Sequence, residues 1–396
     1  MSWRTSRSTT VGLVTLAAFA DIVAYSICVP VLPDLAQRLG ASPTTIGMLF
    51  ASFGVTLLVV PIPMGAISDR AGRRGPMIAG LVALAAASAA FGLADSLPWL
   101  FAARLIQGAA DAITWVIGFA LIADAYDRSE RGRPTGIVMA AASFAYMIGP
   151  SLGGWLYELG GVGLPFFVLA GLALVVAAAF AWVDLPERLE PRERVPLGAI
   201  IREPAVAACT VAVVAVASTL SMLEPVVALH LETRVGLTPA RVGLVFVPAA
   251  LANMGLHPLF GRLADRWGAR RLTIVGLFLT AAVLPMVGRM WSFPSAVALM
   301  LVQTAAVAVV ITPSLAYMAD AVSSLGLGSF GVAYGLYNMA WGIGLLGGPA
   351  LGGWLFDRVG FGTLATGWAV VTIVATIALA GVKSDVPLKP DATCGT

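Results

Sequence analysis

Long apolar runs alternate with short polar segments along the whole chain. A helix needs about 20 apolar residues to cross the hydrocarbon core of a bilayer, and the chain offers twelve runs of that kind. Several runs contain Gly or Pro, which membrane helices tolerate. The predicted spans cover residues 11–33, 45–67, 76–94, 98–123, 135–157, 163–183, 205–231, 240–261, 272–288, 293–318, 331–355 and 361–382. The pattern therefore predicts an all-α polytopic membrane protein.

The longest polar interruption divides the twelve spans into two groups of six. It runs from Asp184 to Glu203, is rich in proline and carries both signs of charge, which is typical of a linker at the membrane surface. We therefore predict an N-terminal six-helix half over 1–183, a cytoplasmic linker over 184–204, a C-terminal six-helix half over 205–382 and a cytoplasmic tail over 383–396.

Composition supports the membrane assignment and excludes several function classes. Of the 396 residues, 59% are hydrophobic and 11% are charged, whereas soluble domains carry about 25% charged residues. We find no nucleotide-binding loop, no Ser/His/Asp set and no His/Cys cluster, so we predict neither an enzyme nor a cofactor or metal site. The basic residues lie in short loops, which argues against a nucleic-acid partner.

The placement of Lys and Arg predicts the orientation. With a cytoplasmic N-terminus, 18 basic residues lie on the cytoplasmic side and 5 on the opposite side, so the positive-inside rule places both termini in the cytoplasm. Arginine outnumbers lysine 22 to 2, as is common in GC-rich bacterial genomes. We expect an integral protein of the plasma (bacterial inner) membrane that acts as a monomer.

Two sequence motifs occur once in each half of the chain. GAISDRAGRR begins at Gly65 and GRLADRWGARR at Gly261, an offset of 261 − 65 = 196 residues. GPSLGGWLYELG begins at Gly149 and GPALGGWLFDRVG at Gly348, an offset of 348 − 149 = 199 residues. Repeats at nearly one offset predict two similar halves that face each other, with a substrate site near the membrane midplane between them.

These motifs carry a family resemblance that covers the whole chain. GAISDRAGRR resembles the signature loop of the major facilitator superfamily, RLIQG from Arg104 to Gly108 resembles its fourth-helix motif, and GPxxGG resembles a motif of its antiporter branches. FADIVAYSICVPVLP, MLEP and YELGGVGLPFFVLA are most similar to the drug:proton antiporters closest to the vesicular amine transporters. The resemblance implies the major facilitator fold and the exchange of protons for amines or lipophilic cations.

Few charged residues lie inside the predicted spans, and these are the candidate binding residues. Asp21 and Glu224 belong to the first span of each half, and both spans line the central cavity in this fold. Burial disfavours the charged form of a carboxyl group, whereas an arriving cation favours it. Competition between a proton and an organic cation for one carboxylate would therefore couple their exchange. Helix–helix hydrogen bonding is the structural alternative for both acids.

Further candidates lie on two other predicted helices. Arg104 and Asp111 are seven residues apart on one face of span four, either as proton-coupling residues or as an Arg–Asp pair that joins helices. Aromatic residues around a carboxylate suit cation–π binding of an amine, although aromatic stripes also serve packing. The predicted substrate- and proton-binding residues are Asp21, Tyr25, Arg104, Asp111, Trp115, Glu224, Tyr334, Asn338 and Trp341.

The resemblance assigns the repeated loops to gating. In the superfamily the loop aspartate faces a neighbouring helix end, and a loop arginine pairs with an acid at the end of span four, here Asp124. Such pairs stabilise the outward-open state and break on inward opening. The implied gating residues are Asp69, Arg70, Gly72, Arg73, Asp124, Asp265 and Arg266. Close packing and helix bends are predicted at Gly149, Pro150, Gly348 and Pro349.

The sequence thus predicts a proton-coupled antiporter that exports hydrophobic amines or other lipophilic cations, with protons, a small organic cation and the bilayer as its partners. The chain has Phe53 and Asn338 near places where the vesicular branch carries a lysine and an aspartate, so its buried charge network is thinner. Export of neutral or anionic compounds, or a transporter-fold sensor, therefore remain the alternatives.

Overall fold

The computed structural model describes residues 7–126, 130, 132–183, 203–323 and 330–382, and these residues fold almost entirely into α-helices. The predicted tail and nearly all of the predicted linker lie outside the described residues. Helices are the expected outcome for such a sequence, because a helix satisfies its own backbone N–H and C=O groups in a solvent that offers no hydrogen bonds. The predicted all-α fold is confirmed.

Within the residues that the structure describes, seven helices form the first half and five form the second. The first half contains α1 (Arg7–Arg38), α2 (Pro43–Val59), α3 (Pro61–Ala71), α4 (Arg74–Gly92), α5 (Leu97–Ala125), α6 (Gly132–Gly160) and α7 (Gly163–Trp182). The second half contains α8 (Pro204–Thr233), α9 (Pro239–Trp267), α10 (Ala269–Val287), α11 (Phe293–Ser323) and α12 (Phe330–Gly381). Ten of these helices are long and apolar enough to cross a membrane.

The predicted helix boundaries need one correction. The predicted span 45–67 is divided at Val60, where α2 ends and α3 begins, because Pro61 lacks the N–H that would continue the hydrogen bonding of the helix. The predicted break between the spans 331–355 and 361–382 is confirmed within α12. A bend at Gly360, whose φ is 72°, divides α12 into the two expected spans.

The internal repeat of the sequence is also a repeat of helix ends. Ser42 accepts a hydrogen bond from the backbone N–H of Thr45 at the start of α2, and Thr238 accepts one from Arg241 at the start of α9. The offset between these caps is 238 − 42 = 196 residues. Positive φ angles recur in the same way, at Gly72 and Gly268 and at Gly161 and Gly360.

The repeated Gly-Pro motifs pack against the first helix of their own half. A Cβ added at Gly149 on α6 would lie 1.8 Å from Oγ of Ser26 on α1. A Cβ added at Gly348 on α12 would lie 2.4 Å from Oγ of Ser221 on α8. The missing side chains therefore allow these helices to touch. Between the halves, α2 packs on α12 and α6 packs on α9.

Candidate functional site

Glu224 lies where the two halves meet. Its carboxylate belongs to α8 and is 6% exposed, and it accepts two hydrogen bonds from the other half. The hydroxyl of Tyr25 on α1 donates to Oε2 at 2.5 Å, and the hydroxyl of Tyr146 on α6 donates to Oε1 at 2.7 Å. Glu224, Tyr25 and Tyr146 form what we call the Glu224 centre. It is an acid of one half held by neutral donors of the other half.

Aromatic rings surround the Glu224 centre on the side of the first half. The rings of Tyr25 and Tyr146 are nearly parallel, with centroids 6.4 Å apart, and Phe53 lies 4.9 Å from Tyr25. Tyr146 is 39% exposed, whereas Glu224 and Tyr25 are buried. Electron-rich ring faces beside a carboxylate form a surface that attracts organic cations.

Arg104 is fully buried among aromatic rings. Its guanidinium carbon lies 5.2 Å from the ring centroid of Tyr25, 5.0 Å from that of Phe50 and 4.9 Å from that of Phe53. Nη1 donates to Oε1 of Gln107 at 2.6 Å, whereas Nε and Nη2 have no hydrogen-bond partner among the described residues. The residues around Arg104 are thus π-systems and a neutral amide.

A second acidic group lies inside the first half. Asp21 on α1 is 1% exposed, and its Oδ2 accepts a hydrogen bond from Nε1 of Trp115 on α5 at 3.1 Å. Asp111, which is 6% exposed, lies one helical turn before Trp115 on α5 and is a near neighbour of Asp21. We call Asp21 and Asp111 the aspartate pair. Three of the predicted residues are therefore close together, on two helices of one half.

The contacts described for the predicted binding residues of span eleven lie within the second half. Trp341 packs on Tyr337, with ring centroids 6.4 Å apart, and the hydroxyl of Tyr337 bonds the carbonyl of Ile311 within the second half. Asn338 is exposed. The side chain of Tyr334 lies outside the described residues. A role for these three residues in substrate binding stays a prediction.

One predicted gating contact is present at the end of the bundle that holds the signature loop. Nε of Arg73 lies 2.8 Å from Oδ2 of Asp124, with the two side chains 7% and 9% exposed. Nη1 of Arg73 also donates to Oγ of Ser68 at 2.7 Å. Arg70 and Arg266 are exposed, and the side chains of Asp69 and Asp265 lie outside the described residues. The pair joins α5 to the α3–α4 turn within one half, and its opening during transport stays a prediction.

The halves are joined at the opposite end of the bundle. Three hydrogen bonds cross between them there, from Gln37 to Glu232 at 3.2 Å, from Thr44 to Asp357 at 2.8 Å and from Thr238 to Glu158 at 2.8 Å. Backbone contact accompanies them, since a Cβ added at Gly47 on α2 would lie 2.2 Å from the carbonyl oxygen of Pro349 on α12. We call these contacts the end seal.

An apolar cavity of about 370 Å³ lies between α6 and α9 beside the end seal. Its lining contains no charged side chain, so it offers no partner for an ion. The residues that line it are Met147, Ile148, Ser151, Leu152, Trp155, Val247 and Leu251. The acidic centres, rather than this cavity, therefore form the candidate functional site.

Comparison with known proteins agrees with this architecture. The family model described as Major Facilitator Superfamily matches residues 14–227 and 209–393. The chain is 29% identical to the probable vesicular acetylcholine transporter-B of Danio rerio, over 96% of this chain and 80% of that protein. It is 26% identical to the synaptic vesicular amine transporter of Rattus norvegicus, over 83% of this chain and 64% of that protein.

A solved structure shares the fold. It is that of a bacterial homologue of the human lysosomal transporter Spinster, in an inward-facing and occupied conformation. The TM-score is 0.80 at 16% identity, and the alignment covers 94% of this chain and 95% of the other.

Proposed function

Because the chain belongs to the major facilitator superfamily, we propose that it is a secondary active transporter that exchanges protons for hydrophobic amines or other organic cations. The observation that carries the proposal is the Glu224 centre, in which a buried carboxylate is bound by two tyrosine hydroxyls from the other half. Vesicular acetylcholine and amine transporters among the relatives support a cationic substrate.

Glu224 can exchange its partners without leaving a buried charge alone. Hydroxyl groups both donate and accept hydrogen bonds, so Tyr25 and Tyr146 can turn away from the carboxylate when an ammonium group arrives. Loss of the ammonium group, or its replacement by a proton, restores a neutral or hydrogen-bonded acid. The aromatic rings add cation–π attraction of about 0.5–2 kcal/mol for such a ligand.

The surroundings of Arg104 favour a cation over an anion as the substrate. Arg104 is 0% exposed and enclosed by three rings. An anionic substrate would have to displace those rings to reach the guanidinium group. A cation reaches Glu224 beside the exposed side of Tyr146 instead.

Alternating access follows from the contacts between the halves. The end seal joins them at the end predicted to face outward, while the Glu224 centre lies further along the same interface. Opening the seal and closing the opposite end would expose the bound cation to the other side of the membrane. In the predicted orientation this is export across the bacterial inner membrane, with both termini in the cytoplasm.

Purified protein in liposomes tests the proposal. With an imposed pH gradient, we expect uphill accumulation of phenyltrimethylammonium, a permanently charged aromatic cation that does not redistribute as a weak base. Glu224→Gln should reduce uptake about tenfold or more, because a hydrogen bond to a charged group is worth about 1.5–3 kcal/mol. Glu130→Gln, an exposed acid paired with Arg7, is the matched control.

The outcomes separate the alternatives. Gradient-driven uptake of benzenesulfonate in place of the cation would support an anion exporter and contradict the proposal. Asp21→Asn should abolish gradient-driven uptake as well, and normal transport by that variant would remove Asp21 from the mechanism.

A further inference from the structure

Glu232 is a partly buried acid of the end seal, and it is the residue before the last one of α8. Its Oε2 accepts a hydrogen bond from Nε2 of Gln37 on α1, in the other half, at 3.2 Å. Its other carboxylate oxygen, Oε1, is enclosed and has no hydrogen-bond partner among the described residues. The described hydrogen bond that holds Glu232 across the halves therefore comes from a neutral amide.

A second acid lies beside this contact. Asp34 is three residues before Gln37 on α1, and residues three apart on a helix are neighbours on one face. Oδ2 of Asp34 lies 3.0 Å from Nε of Arg38 and also accepts a hydrogen bond from the hydroxyl of Tyr157 on α6. The side chain of Arg38 is 60% exposed. The described cation beside Glu232 thus already forms an ion pair with a different acid.

The titratable and charged groups that face Glu232 among the described residues are Asp34 and Arg38 on α1 and Tyr157 on α6. His230 is two residues before Glu232 on α8, so it points to another side of the helix, where its Nε2 contacts a backbone carbonyl of the second half. The charges of Asp34 and Arg38 cancel. The group around Glu232 therefore has no net charge only when Glu232 is protonated.

We propose that Glu232 is a proton-binding site at the outward-facing end of the protein, and that a proton bound there holds the end seal closed. In the closed seal, an ionised Glu232 adds a second negative charge beside Asp34 and leaves an enclosed oxygen without a donor. Burying a charged group without a counter-ion costs far more than burying a neutral one, and the neighbouring like charge adds to the cost. Loss of the proton therefore favours separation of α1 from α8.

This proton site is distinct from the Glu224 centre. Glu232 is eight residues further along α8, which is about 12 Å of helix. A more acidic outer compartment keeps the seal closed, and a less acidic one opens it. The use of this response in cation exchange rests on the proposed function, whereas the closure of the seal can be measured without any substrate.

Disulfide formation between Thr44→Cys and Asp357→Cys tests the site in the purified full-length protein with Cys394→Ser as background. The two cysteines replace side chains that are hydrogen-bonded across the seal at 2.8 Å. The oxidation rate of each variant is divided by that of the protein without the variant at the same pH, so the ionisation of the thiols cancels. Glu232→Gln is permanently neutral, and its relative rate should be about 5 or more at about pH 9 and about 1 at about pH 5. The control is Glu158→Gln, whose amide oxygen can still accept the hydrogen bond across the seal, and its relative rate should be about 1 at both pH values.

A relative rate of Glu232→Gln that is the same at both pH values would overturn the proposal. Asp34→Asn is a second, independent variant, because it removes the neighbouring negative charge and frees Arg38 to pair with an ionised Glu232. Its relative rate should also rise between the two pH values, and a relative rate that does not change would contradict the proposal. If the parent protein transports no cation, the proposed function fails, while the oxidation rates still decide whether Glu232 binds the proton that closes the seal.

Discussion

Substituting Gly47 by Ala should open the end seal. Gly47 lies on α2 against the backbone of α12, and a methyl group added there would be 2.2 Å from the carbonyl oxygen of Pro349 and 2.9 Å from Cα of Gly353. Optimal contacts between non-bonded heavy atoms are about 3.5–4.0 Å. Both obstructing atoms belong to the backbone, so no side-chain rotation relieves the clash and the helices must separate by about 1 Å.

Overpacking of this kind costs about 1–3 kcal/mol. The cost applies only where α2 and α12 touch, so it falls on the conformation in which the seal is closed. A differential energy of that size changes an equilibrium by about 5- to 150-fold. Gly47→Ala should therefore shift the population toward conformations open at this end.

Disulfide formation across the seal measures the shift. Thr44→Cys and Asp357→Cys replace two side chains that are hydrogen-bonded at 2.8 Å, and the native thiols of Cys28 and Cys209 are buried away from oxidant. With Cys394→Ser as background, the initial rate of oxidation should fall by the same 5- to 150-fold when Gly47→Ala is added. Gly136→Ala on α6 is the control, because nothing lies within 4 Å of its added Cβ. Equal oxidation rates in the two variants, with both proteins monodisperse, would refute the reasoning.

Two further predictions concern side chains described above. Asp124→Asn should lower the free energy of unfolding by about 3–5 kcal/mol, because it removes the carboxylate that contacts the buried guanidinium of Arg73. Thermal denaturation measures the change. A Tm equal to that of the exposed-site control Arg70→Gln would contradict the prediction. Tyr146→Phe should weaken binding of phenyltrimethylammonium about tenfold or more, because it removes the hydroxyl that donates to Oε1 of Glu224. The control is Tyr337→Phe. A Kd equal to that of the control would remove Tyr146 from the site.

The fold was accessible from the sequence because hydrophobic runs of membrane length leave few structural options. The repeat at Gly65 and Gly261 also located equivalent turns, and Asp124 was correctly named as the partner of a loop arginine. Helix breaks were less accessible. The interruption at Val60 depends on local backbone geometry within a run that is mostly apolar, whereas the break at Gly360 follows the charged residues Asp357 and Arg358 and was predicted.

The site could be predicted only in part, because its contacts depend on how helices rotate against each other. Asp21 and Trp115 were both named, but their hydrogen bond joins helices separated by 94 residues of sequence. The alternative of an Arg104–Asp111 pair is not what the structure shows, since Arg104 bonds Gln107. Tyr146 was missed because a single tyrosine in an apolar span is also typical of packing; its position three residues before Gly149, on a helix packed against α1, was the available signal.

The matching helix ends of the two halves contrast with their unlike buried charges. Caps at Ser42 and Thr238 and left-handed glycines at Gly161 and Gly360 recur, whereas the buried aspartates and Arg104 belong to the first half and Glu224 to the second. An ancestral duplication followed by unequal specialisation explains such a chain. Its consequence is that substitutions around Glu224 can change substrate selectivity in evolution while the helix caps and glycine turns stay the same.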